Sequence, residues 1–83
     1  MFEIKLCKTK SAIIVKPIKN LKLDLARMNS RFNVIAQTSI ASVLRFDNEE
    51  VVVHRYGDIY FKSLKDESLI NKIAQEIYKI ANG

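Results

Sequence analysis

The chain has 83 residues, of which 48% are hydrophobic and 28% charged, with two Gly and one Pro. This length supports one globular domain with one modest core, so we predict a single domain over residues 1–83. The apolar runs are far shorter than the roughly 20 residues that span a bilayer, and the N-terminus lacks a secretory signal pattern. We therefore expect a cytoplasmic protein without membrane contact.

The net charge of +5 is concentrated in the first part of the chain. Residues 1–31 contain eight Lys or Arg and two acidic residues, a balance of +6, whereas residues 32–83 have a balance of −1. A basic segment is compatible with a phosphate-bearing or acidic partner. Lysines also protect an exposed sheet edge against aggregation, so the same residues have a purely structural interpretation.

The first third of the chain predicts a hairpin and a short helix. Apolar and polar residues alternate over residues 2–7, and a β-branched run covers residues 12–18. We interpret these segments as two strands around Thr9-Lys10-Ser11. Asn20 is a candidate N-cap for a helix from Leu21 to about Arg31, where apolar residues recur at helical spacing.

From residue 33 the apolar period changes to two, which is typical of a strand. We predict a strand that begins at Val34 or Ile40 and ends at Asp47-Asn48. Its alternation divides the side chains between two faces. One set is predicted to face the core: Ile40, Leu44 and Phe46. The other set faces away from it: Ser39, Ala41, Val43 and Arg45.

Two further strands are predicted on either side of a turn at Tyr56-Gly57-Asp58, where Gly57 supplies a positive φ angle. With a three-residue loop, Val51 and Val53 match Ile59 and Phe61, and all four enter the core. The residues of opposite parity then share the other face of the sheet: Val52, His54, Tyr60 and Lys62.

The last predicted element is an amphipathic helix over residues 65–81, capped by Ser63 or Asp66 and stopped by Asn82-Gly83. Its apolar stripe comprises Leu69, Ile70, Ile73, Ile77 and Ile80, with Ala74 and Ala81 beside it. We expect the helix to pack on the sheet through four of these side chains: Leu69, Ile73, Ile77 and Ile80.

The order of elements predicts an α+β fold, a two-layer α/β sandwich in which an antiparallel sheet carries two helices on one face. Two helices do not cover both faces of such a sheet, so the second face is expected to be open. Our candidate binding residues are Val43, Arg45, Val52, His54, Tyr60 and Lys62, together with Lys8, Lys10 and Lys16. Valines and an aromatic residue bracketed by cations suit a protein or a nucleic acid.

Three short segments carry a resemblance to a known fold. They are Lys22-Leu23-Asp24-Leu25, the strand from Ile40 to Phe46 that ends in Arg and a hydrophobe, and the strand, glycine turn and strand from Val52 to Phe61. Over residues 12–81 the chain resembles one repeat of the TATA-box-binding protein (TBP-like) fold, a curved antiparallel sheet backed by helices. It also looks like small uncharacterised archaeal proteins that contain a single such repeat.

The resemblance implies a sheet face able to contact nucleic acid, but the chain departs from the family in two respects. Family members have two tandem repeats that form a saddle, and they insert phenylalanines between base steps to kink the minor groove. This chain contains one repeat. Ser39 and His54 occupy the positions of those phenylalanines, and neither is an apolar wedge, so TATA-type kinking is not predicted.

No motif for catalysis or metal binding is found in the sequence. His54 is the only histidine, and no Ser, Cys or carboxylate can be assigned to it as a catalytic partner from spacing. Cys7, the only cysteine, has no Cys or His neighbour at zinc-ligand spacing. The acidic cluster of Asp47, Glu49 and Glu50 is typical of a solvated turn. We therefore predict a protein that is not an enzyme and has no cofactor or metal.

Two function classes remain open. The first is an interaction module whose open sheet face binds a protein partner or forms a homodimer, since a half-saddle can complete itself as a dimer. The second is a nucleic-acid-binding protein that uses the same face and the N-terminal lysines. A small enzyme or ligand carrier has the least support.

Overall fold

The structure, a computed structural model, describes residues 3–9, 12–19, 22–46, 49–62 and 64–81. These residues form six strands and two helices. The strands are β1 (Ile4–Lys8), β2 (Ile13–Pro17), β3 (Asn33–Gln37), β4 (Ala41–Phe46), β5 (Glu49–His54) and β6 (Ile59–Phe61), and the helices are α1 (Leu25–Asn29) and α2 (Glu67–Ala81). The α+β class predicted from the sequence is confirmed.

All strand pairs are antiparallel, and the six strands form one sheet in the order β1-β2-β6-β5-β4-β3. The predicted hairpin of β1 and β2 is confirmed, and the amide of Thr9 donates a hydrogen bond to the carbonyl of Ala12 at 2.8 Å. Lys10 and Ser11, predicted to complete this turn, lie outside the described residues.

The predicted match of Val51 and Val53 with Ile59 and Phe61 is also confirmed, with the three-residue turn at Arg55-Tyr56-Gly57, one residue earlier than predicted. Val51 lies opposite Phe61, and Val53 lies opposite Ile59. Gly57 has a φ of 108°, a backbone conformation that glycine adopts without a steric penalty. The turn chemistry and the apolar alternation therefore specify the same hairpin.

The segment predicted as one strand from Val34 or Ile40 contains two strands, β3 and β4. Thr38 makes the turn between them, because its hydroxyl accepts hydrogen bonds from the amides of Ile40 at 3.3 Å and Ala41 at 3.1 Å. Ile40 lies in this turn and is 48% exposed, so its predicted place in the core is wrong. Ser42 is buried instead. Asp47 and Asn48, the predicted end of the strand, lie outside the described residues.

Helix α1 is shorter than the predicted helix from Leu21 to Arg31. Its N-cap is Asp24, whose carboxylate accepts a hydrogen bond from the amide of Arg27 at 3.1 Å. The chain before it is held by other elements, since the amide of Leu23 donates to the carbonyl of Arg55 at 2.8 Å. The amide of Asp24 likewise donates to the carbonyl of Ala81 at 2.8 Å, so tertiary hydrogen bonds stand where the first helical turn was predicted. Asn20, the predicted cap, lies outside the described residues.

Both helices pack on one face of the sheet. The fully buried strand residues are Val15, Ser42, Leu44, Val51, Val53, Ile59 and Phe61. The buried helix residues are Met28, Ile70, Ala74, Ile77, Tyr78 and Ala81. Phe46 is partly buried against this core. The predicted sheet side of the core is therefore confirmed, and it also contains Val15 and Ser42, which were not predicted there.

The predicted packing face of α2 is wrong in part. Leu69 is 41% exposed, and Ile73 is only partly buried, whereas Ile70 and Tyr78 are fully buried. The helix is therefore rotated from the expected orientation and buries Tyr78, whose hydroxyl donates a hydrogen bond to the carbonyl of Gly57 at 2.5 Å. At the start of the helix, Asp66 is the confirmed cap: its carboxylate accepts from the amide of Ser68 at 3.0 Å.

Candidate interaction face

Among the described residues, no helix packs on the second face of the sheet, which we call the open face. The strand registers place six residues in line across it, one on each strand. In the order of the strands they are Cys7, Ile14, Tyr60, Val52, Val43 and Ala36. We call this set the apolar row. All but the exposed Ala36 are partly buried.

His54 and Tyr60 lie together on the two central strands. Their ring centroids are 5.1 Å apart, with an angle of 47° between the ring planes. His54 and Tyr60 are partly buried, and Lys62 is exposed. The prediction that these three residues share an accessible face is therefore confirmed. The ring contact places an imidazole, a group able to donate and accept hydrogen bonds, beside the apolar row.

Charged residues border the apolar row on one side. Glu50 lies opposite Arg45 in the pairing of β4 and β5. The register of β5 and β6 pairs Val51 with Phe61, so the next residue, Lys62, continues it toward Glu50. No ion pair joins Glu50 to either cation within the described part of the chain. We call these three residues the Glu50 band.

A second charged group borders the row on the other side. Lys5 lies opposite Lys16 in the pairing of β1 and β2. Val15 pairs with Ile59, so Lys16 continues toward Asp58. The carbonyl of Asp58 accepts a hydrogen bond from the amide of His54 at 2.8 Å. We call Lys5, Lys16, His54 and Asp58 the Asp58 band.

The structure brings most of the predicted binding residues to this face. They are Val43, Arg45, Val52, His54, Tyr60, Lys62 and Lys16. Lys8 is different. It lies opposite Ile13, which is 3% exposed under the helices, and its ammonium forms an ion pair with Glu67 in the first turn of α2. Strand alternation thus places Lys8 on the side opposite to the one predicted. Lys10 lies outside the described residues.

Several residues of this face were not among those predicted. Ile14 lies within an unbroken apolar run, residues 12–15, whose sequence gives no sign of which side chains face the helices. Its pairing with Tyr60 is the signal that identifies it. Glu50 was interpreted as part of a solvated turn, but it belongs to β5. Cys7 and Ala36 complete the row at the two edges of the sheet.

The described residues contain no group of three His, Cys, Asp or Glu side chains arranged to hold a metal ion. In the same part of the chain, neither helix has the length and apolar character needed to cross a membrane. Comparison of the chain with protein-family models, with curated proteins and with solved structures finds no match. A function for this chain therefore rests on the geometry of its own residues.

Proposed function

We propose that this protein is a non-enzymatic interaction module that assembles with a second copy of itself through the open face. The apolar row carries this proposal, because it spans all six strands and no described helix covers it. Removing apolar surface from water is favourable by roughly 25 cal/mol per Å². An apolar strip with a charged border on either side is typical of a protein interface.

The charge of the open face supports a protein partner over a polyphosphate. Among the described residues that strand parity places on this face, the cations are Lys5, Lys16, Arg45 and Lys62, and the carboxylates are Glu3, Glu50 and Asp58. The excess of positive charge is therefore small. A strongly basic face would repel its own copy, whereas a nearly balanced face permits two identical copies to meet.

The size of the face also supports self-assembly. The Cα atoms extend over 29 × 28 × 19 Å, and six strands spaced about 4.8 Å apart make the sheet roughly 24 Å wide, so the sheet lies across the longer dimensions. The product of the two longer dimensions is an area comparable to the roughly 800 Å² that each partner buries in a standard protein interface. The contact is then large enough for a specific dimer.

Light scattering with Val52→Asp tests this proposal. Position 52 lies at the centre of the apolar row, so the substitution places a carboxylate in the interface. We expect a mass near twice the 9.5 kDa of one chain for the wild type and the mass of one chain for the variant. A variant that stays folded and keeps the wild-type assembly would contradict the proposal.

A second candidate is the binding of single-stranded nucleic acid by the same face. The contact between His54 and Tyr60 supports it, because nucleic-acid bases stack on partly accessible rings that lie beside cations such as Lys16. The resemblance to a TBP-like repeat, which stays a prediction, points to the same candidate. A mobility shift that weakens steeply with salt would favour it. The predicted cytoplasmic location is part of either proposal.

A further inference from the structure

We infer that the two copies meet about a twofold axis that runs parallel to the strands, between β5 and β6, an inference that rests on the proposed assembly. The order of the sheet makes β6 and β5 its central pair, with two strands on either side. Rotation about this axis lays β6 over β5 of the partner, β2 over β4 and β1 over β3. Each contact then occurs twice, as in any isologous dimer.

The sizes of the facing side chains select this axis. It sets Tyr60 against the partner's Val52, and Ile14 against the partner's Val43. Large side chains therefore face smaller ones across the interface, as close packing requires. A twofold axis along the apolar row would instead stack every residue of the row on its own copy. Tyr60 would then meet a second tyrosine while Ala36 met a second alanine, which crowds the centre of the face and leaves a gap at its edge.

The charged bands fit the same arrangement. Lys62 on β6 lies over the partner's Glu50 on β5, and the symmetry repeats this contact. On the other side of the apolar row, Asp58 lies over the partner's His54. Glu50 and Lys62 form no ion pair with each other in the described part of the chain, although the register makes them neighbours. Opposite charges therefore meet on one side of the row, and on the other side the imidazole of His54 is placed to donate a hydrogen bond to the carboxylate of Asp58.

Two charge reversals test this inference. Glu50→Lys alone and Lys62→Glu alone each set like charges against one another twice in a dimer. We expect the dimer Kd of each variant to rise about tenfold or more. In an equimolar mixture of the two variants, the introduced lysine faces the introduced glutamate, and the native Lys62 faces the native Glu50. Native mass spectrometry and sedimentation should therefore detect a heterodimer with an affinity close to that of the wild type.

Glu76→Lys and Lys72→Glu are matched controls, since both residues are exposed on α2, away from the open face. They should leave the Kd within about twofold of the wild type, and circular dichroism should report a folded protein for every variant. A wild-type dimer that Val52→Asp dissociates, with no heterodimer in the mixture, would overturn this axis and leave the assembly function standing. A wild type that stays monomeric throughout the concentration series would overturn both.

Discussion

The hydroxyl of Tyr78 on α2 donates a hydrogen bond to the carbonyl oxygen of Gly57, at 2.5 Å, in the turn between β5 and β6. The tyrosine is fully buried, and the bond ties the last turns of the helix to the hairpin. That hairpin sets the register that sends Val52 and Tyr60 to the open face. A hydrogen bond on the helix side of the sheet therefore helps to fix which side chains lie on the open face.

Loss of this hydrogen bond should be measurable. Tyr78→Phe keeps the ring in the core but leaves the carbonyl of Gly57 without this donor. We expect the free energy of unfolding to fall by about 1–2 kcal/mol, measured by urea denaturation. An unchanged urea midpoint would show that water or another donor replaces the hydroxyl without cost.

The same residue predicts a pH dependence at the alkaline end. Burial, and next the negative charge of Asp58, raise the pKa of Tyr78 above its ordinary range. The neutral hydroxyl is favoured in the folded state, so its contribution to stability is full below about pH 10, the pKa of an unfolded tyrosine. That contribution is lost as the pH rises from there toward the folded pKa. The stability difference between wild type and Tyr78→Phe should therefore shrink above pH 10, and a constant difference up to pH 12 would contradict this.

The position of α2 predicts which apolar residues stabilise the fold. Ile77 is fully buried, so Ile77→Ala should lower the free energy of unfolding by about 2–5 kcal/mol. Leu69, which was expected in the core, is 41% exposed, and Leu69→Ala should change it by no more than about 0.5 kcal/mol. Equal losses in the two variants, measured by urea denaturation, would show that the helix packs through a different face.

Turn residues and apolar alternation predicted the elements that contacts between distant segments do not alter. The β5–β6 hairpin was predicted because the turn at Gly57 and the apolar alternation specify the same register. The turn at Thr38 was missed because Gln37-Thr38-Ser39 contains neither the glycine nor the proline that usually marks a turn. The first turn of the predicted helix was replaced by the hydrogen bond from Leu23 to Arg55. The burial of Tyr78 in α2 was not predicted, because its hydrogen bond to Gly57 joins residues that are distant in the sequence.

Lys8 is expected to contribute little to either stability or assembly. Its ion pair with Glu67 lies on the surface, where such pairs are worth less than about 1 kcal/mol and weaken with salt. Lys8→Ala should therefore shift the urea midpoint slightly at low salt and not at high salt. Light scattering should show the same assembly for the Lys8→Ala variant as for the wild type. A loss of assembly in this variant would place the working surface on the helix side.

The candidate site was predictable where the sequence shows which residues of a strand lie on the same face of the sheet. Val43 was placed on the open face by the alternation of β4, and Val52 and Tyr60 were placed there by the hairpin register set at the Gly57 turn. Lys8 was grouped with this face by charge alone, and the alternation of β1 places it on the other side. Ile14 could be assigned to the open face only from the pairing of β2 with β6, and this pairing joins segments that are distant in the sequence.

The central claim is that the open face is the working surface, and Val43→Asp tests it most directly. Val43 lies in the apolar row, whereas Leu69 is an exposed apolar residue on the helix side, so Leu69→Asp is a matched control. Light scattering of both variants over a concentration series should give the mass of one chain for Val43→Asp and the wild-type mass for Leu69→Asp. A folded Val43→Asp variant that keeps the wild-type mass, and any nucleic-acid shift seen in the wild type, would contradict the claim.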